Sequence, residues 1–198
     1  MMLSRRSVCA VAVGLICAPR LAFAGSFNTV LQIPDIAKRS RANDDWLAGV
    51  ANLAAWQSEI SGGEGTVLQQ IRNPQRWRDV FDEDNGLAKT DLAAFAADAG
   101  LMVDGSSSLV LKHWHQVLIQ SGPVWVGVAN QRFKAGQVWV VTGIVGDGSG
   151  DGTELSIIDV ASGDVGKMTM KEFTDLYTAA AKADGVDGKV ALQVLRLA

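Results

Sequence analysis

The spacing of hydrophobic positions changes part-way along this chain. In "DWLAGVANLAAW", residues 45 to 56, Leu47, Val50, Ala51 and Ala54 recur at helical spacing and Leu53 widens the apolar side. Small residues dominate the stretch, so it reads as a central, largely buried helix able to lie close to its neighbours. Ahead of it, Phe27 to Pro34 reads as extended. Ser40 to Asp45 is polar, and Asn43 or Asp44 can cap the helix. "SGGEG" breaks it. Residues 66 to 80 read as short helical pieces interrupted at Asn73-Pro74, and "FDEDNG" as a loop. Thr90 is placed to cap "DLAAFAADAG", which Gly100 ends, and Leu109 to Gln120 is a further helix.

After Gly122-Pro123 the character changes, and "VWVGVA" alternates as a strand does. "VWVGVA", "QVWVVTGIV" and "ELSIIDV" read as strands, the last two joined by the glycine-rich turn "GDGSGDG". Thr169 and Glu172 form a capping box ahead of "MKEFTDLYTAAAKA", and "VALQVLRL" is a final strand. There is no internal repeat and no linker. A helical first half followed by an antiparallel second half predicts an α+β domain.

The first residues change the picture of the mature protein. Arg5 and Arg6 precede an apolar run from Val8 to Ala18, and Ala22-Phe23-Ala24 is a small-x-small cleavage signal. The run is shorter than the roughly 20 residues a membrane-spanning helix needs. Residues 1–24 are therefore expected to be a secretory signal peptide and 25–198 a single domain, periplasmic or secreted. Ser4-Arg5-Arg6-Ser7-Val8 also resembles a twin-arginine export signal.

Charge and cysteine narrow the chemistry. The chain has 18 Lys and Arg against 21 Asp and Glu, a net charge of −3; loss of Arg5, Arg6 and Arg20 with the leader takes it to about −6. Neither nucleic acid nor an anionic membrane is an expected partner of such a surface. Both cysteines, Cys9 and Cys17, lie in the leader, so the mature chain has no thiolate, disulfide or thiolate metal site. No cofactor is expected. His113 and His115, the two histidines, flank Trp114 on a helix, where residues two apart diverge and chelate poorly. Asp147, Ser149 and Asp151 have the alternate spacing of a calcium loop, but Ile158 stands where its twelfth-position Glu is required.

The order of these segments resembles a known family. A central helix opening on Trp46, then "LIQSGPVWVGV", then "GQVWVVTGIVGDGSGDGTELSIIDV", then a threonine-capped helix with Phe and Tyr, is similar to the papain-like cysteine peptidases of bacteria. The avirulence-protein type fits best, with the bacteriocin-processing type as a neighbour, over about residues 30 to 180. The resemblance implies a papain-like fold. It also implies four functional positions: an oxyanion Gln, a Cys at the start of the central helix, a His after Gly136, and an orienting Asp or Asn on the next strand. This chain has Lys38, Asp45 and Gln137 at the first three and retains Asp159 at the fourth. The family mechanism needs a thiolate and its base, and neither is present.

Three readings follow. The first is an exported pseudo-peptidase whose cleft, with Asp45, Trp46, Gln137 and Asp159, binds a peptide, a protein or a cell-wall fragment. The second is a hydrolase using Asp45 and Asp159 as a proton-sharing carboxylate pair. Against it stands a plainer role for Asp45 as a helix cap bonded to Gln137. The third is a factor acting through its surface, in immunity or assembly. Trp46 admits a place in the groove or in the core, and Trp125 and Trp139 are expected in the core.

Overall fold

The computed structural model describes residues 26–58, 63–104, 111–128, 131–183 and 193–198. The expected leader, residues 1–24, lies outside them. In chain order the elements are β1 (Phe27–Val30), α1 (Asp45–Ser58), α2 (Gly63–Gln70), α3 (Pro74–Asp82), β2 (Leu87–Ala88), a 3-10 turn (Lys89–Asp91), α4 (Leu92–Asp98), β3 (Leu101–Asp104) and α5 (Leu111–Ser121). There follow β4 (Val124–Gly127), β5 (Arg132–Phe133), β6 (Val138–Gly146), β7 (Thr153–Asp159), β8 (Asp164–Thr169), α6 (Met170–Ala183) and β9 (Gln193–Leu197).

Seven strands form an antiparallel sheet in the order β3-β9-β4-β6-β7-β8, with β1 on the far half of β6. Helices cover both faces. Val138, Val140, Ile158 and Leu195 point to the side of α1 and join Trp46, Leu47, Val50, Trp77 and Phe95. Trp139, Val141, Leu155 and Ile157 point the other way and pack with Trp114 of α5 and Phe173 of α6. Burial on both faces is why "VWVVTGI" is a continuous apolar run and not an alternating one. The arrangement is α+β, as the pattern predicts, and agrees with the papain-like fold that the resemblance implies.

Most of α1 is buried all round, and its small residues permit this. A Cβ on Gly49 would stand 2.4 Å from the Trp125 ring, and Trp125 Nε1 donates to the Trp46 carbonyl at 3.2 Å. The register of β6 shifts between Val141 and Gly143, a bulge that ends its pairing with β4 and opens its pairing with β1. Gly143 is required there, because a Cβ would stand 2.7 Å from the Thr29 carbonyl oxygen.

Some expectations are corrected. Thr90 does not cap α4: it lies inside the 3-10 turn, and no side chain caps the helix at Asp91. "SGGEG" is only partly a break, since Gly63, Glu64 and Gly65 already belong to α2. The helical first half also supplies β1 and β3 to the sheet, and β3 and β8 have no counterpart in the predicted strands. Both are largely exposed, so no buried face marks them in the sequence.

Candidate functional site

The start of α1 is a polar corner built from segments far apart in sequence. The arm after β1 crosses the sheet, and buried Asn52 holds it: Nδ2 donates to the Ala37 carbonyl at 2.7 Å and Oδ1 accepts from the Ala37 amide at 3.0 Å. The Arg39 amide then donates to the Val160 carbonyl at 2.8 Å. Asp44 caps the helix through its carbonyl, which accepts from Leu47 at 2.8 Å and Ala48 at 3.1 Å. Its carboxylate turns back to the chain ahead, accepting from the amides of Ser40 at 3.2 Å and Arg41 at 2.8 Å.

Asp45 begins the helix and is closed off from solvent. Its side chain is 0 % exposed; Oδ1 accepts from Arg39 Nη1 at 3.2 Å and Oδ2 from the Gly136 amide at 2.6 Å. Burial pushes its carboxyl above the usual range, against the opposing pull of the Gly136 amide and the Arg39 guanidinium, and the charge of Asp44 adds to the rise. The structure thus brings Asp45 to the Gly136-Gln137 corner, the two places where the family resemblance puts nucleophile and base. The bond to Asp45 comes from the Gly136 amide. The Gln137 side-chain oxygen accepts from the Lys134 amide at 2.9 Å.

The remaining positions lie apart from this corner. Asp159 ends β7 opposite Trp139 and turns from the α1 face, to which Ile158 and Val160 point. Its Oδ1 accepts from the Ala161 amide at 2.9 Å, so Asp45 and Asp159 are each tied to different partners. Lys38 is exposed and runs past Gly163. Trp46 is 1 % exposed and meets Phe95 edge-on at 4.8 Å; it is a core residue and lines no groove. Trp125 and Trp139 are also in the core. His115 packs on Phe27 with ring centres 4.8 Å apart, and His113 Nε2 stands 3.9 Å from Asp104 Oδ2. In the glycine-rich turn, Asp147 Oδ1 accepts from both the amide and the hydroxyl of Ser149. Among the described residues no group of His, Cys, Asp or Glu side chains is arranged to hold a metal ion, and no helix is long and apolar enough to cross a membrane.

Two features escaped the sequence reading. One is Glu64, which reaches into the corner from the first turn of α2, although its "SGGEG" context reads as a break. The other is an open groove of ≈ 430 Å³ between the arm and the sheet. Val30, Leu31, Ile33 and Ile36 form one wall, Ile158 and Val165 the other, with Thr142 and Ser156 also lining it. Val30 and Val165 are 53 % and 61 % exposed. The polar run "KRSRANDD" was the available signal for the corner; the groove has none, because the arm and β8 meet only in the fold.

A family model described as papain-like cysteine protease AvrRpt2 matches residues 28–178. No curated protein and no solved structure matches the chain.

Proposed function

Since the chain belongs to the family of papain-like cysteine proteases described for AvrRpt2, we propose that it is a non-catalytic member that works by binding. One observation carries this reading. The residue in the nucleophile's place, Asp45, is a fully buried carboxylate held by Arg39 and by the Gly136 amide. A group so enclosed reaches no substrate, and the sequence has cysteine only at positions 9 and 17. The former catalytic corner acts as a structural plug.

Binding then falls to the groove beneath the arm. Its size and apolar walls suit side chains of an extended peptide or protein segment, and its few polar groups can fix orientation. The same partner class includes the peptide part of a cell-wall fragment. The leader-like residues 1–24 support a site of action in the periplasm or outside the cell.

The test has two parts. The purified protein and its Asp45→Ala variant are offered peptides, denatured protein and peptidoglycan. Neither is expected to turn them over, and thiol-independent turnover lost in Asp45→Ala overturns the reading. A peptide library is then presented to the protein, to Val165→Asp and to Asp45→Asn. Capture weakened by Val165→Asp and unaffected by Asp45→Asn supports the groove; the reverse pattern assigns binding to the α1 corner.

A further inference from the structure

We propose that Glu64, Ser40 and Asp44 form a proton-operated latch, closed when a proton sits between the two carboxyls and opened when Glu64 ionises. It fastens the first turn of α2 to the start of α1, and it is independent of what the groove binds.

The geometry requires the extra proton. The Ser40 hydroxyl lies 2.5 Å from Glu64 Oε2 and 3.1 Å from Asp44 Oδ2. A hydroxyl carries one proton and can donate to one of them only. With both carboxyls ionised, the other oxygen would face a lone pair. With Glu64 protonated, its O–H donates to Ser40 Oγ and the Ser40 hydroxyl donates on to Asp44, so every contact is a hydrogen bond. Two further oxygens, Asp44 Oδ1 and Glu64 Oε1, are buried, and no donor among the described residues reaches either. Asp44 is 1 % exposed and Glu64 6 %, so water gives little compensation.

The surroundings do not neutralise the pair. Arg39 spends its guanidinium on Asp45 and the Ala42 carbonyl. Arg41 spends its own on the Phe81 carbonyl and Asp82. Asp84, after α3, accepts from the Asn43 amide. On α3, which packs against α2, Arg76 pairs with Asp91 and Asp79 accepts from Gln75, and Arg78 and Asp82 are the other charged groups; neither the Arg39 nor the Arg41 guanidinium is bonded to Asp44 or Glu64. Burial, against the pull of the Ser40 hydroxyl, and then hydrogen bonding and charge from Asp44 push Glu64 up to about 7. Because the folded value lies above the ordinary 4.5, the stability the latch confers is fully present below 4.5 and is lost as pH rises through about 7.

Amide hydrogen exchange on the purified protein, corrected for the intrinsic rate, tests this between about pH 5.5 and about 8.5. Protection at residues 40–48 and 63–70 is expected to fall about tenfold or more across that range, while α6 follows no such trend. In Glu64→Gln the amide donates without titrating, and the fall should vanish. The same fall in Glu64→Gln, or none in the native protein, overturns the latch. Should Glu64→Gln fail to fold, the native Glu64 carboxyl is titrated by carbon-13 NMR. A midpoint near 7 upholds the proposal, and one near 4.5 overturns it.

Discussion

Helix α6 begins with a motif complete within four residues. The Thr169 hydroxyl accepts from the Glu172 amide at 3.1 Å, and the Glu172 carboxylate accepts from the Thr169 amide at 2.7 Å, at an exposed end of the helix. Helix α1 begins with buried acids whose partners lie elsewhere: Gly136 is 91 residues from Asp45, and Glu64 is 24 residues from Ser40. Both starts place negative charge at the positive end of a helix. They differ in what surrounds the charge. Water leaves Glu172 acidic, and its bonds to Thr169 lower it further, whereas burial raises Asp45 and Glu64. One start is a local device. The other exists only once the whole chain has closed around it.

The largest effect should come from breaking the α1 start. Asp45→Ala strips Arg39 and the Gly136 amide of their acceptor. The loss is expected to be about 3 kcal/mol, because Arg39 is partly exposed and recovers some hydration. Urea unfolding measures it, and a loss below about 1 kcal/mol would mean that the corner is no more than a surface ion pair. Asn52→Ala comes next. It removes three hydrogen bonds, two to Ala37 and one to the Ala48 carbonyl, and should cost about 2 kcal/mol while loosening the arm. Thr169→Ala is smaller, about 1 kcal/mol, and should not disturb α1.

A change of pH should separate the two starts by sign. Asp45 lies above its ordinary 3.8 in the folded chain, so its contribution to stability is present below 3.8 and is lost as pH rises through the raised value. Glu172 lies below its ordinary 4.5, so its contribution is present above 4.5 and is lost as pH falls through the lowered value. Acidification should therefore fray α6 while the α1 corner tightens. Residue-resolved exchange in mild acid checks this, and the same trend at both ends would contradict the contrast.

The same difference explains what could be read from the sequence. The α6 cap, the strands β4, β6 and β7 and the helix α1 are patterns of near neighbours, so composition and period expose them. Of the four positions the resemblance implies, Lys38 lies in the arm ahead of α1, Asp45 begins α1, Gln137 comes just before β6 and Asp159 ends β7. Their surroundings were not legible. Nothing local to Asp45 says that Arg39 and Gly136 enclose it. Trp46 looks the same in sequence whether it lines a cleft or, as here, meets Phe95 inside the core. Thr90 shows the opposite error, a good local cap signal left unused because a 3-10 turn occupies its place.

The strand order has a consequence for how this molecule is made. β9 lies between β3 and β4, so residues 193–197 occupy the interior of the sheet and not its edge. Until they have been synthesised, β3 has no strand partner and β4 is paired on one side only. The pairing of β1 with β6 also spans more than 100 residues. Contacts so distant in sequence make for slow assembly. A chain grown only as far as α6 still lacks the strand that ties β3 to the rest of the sheet.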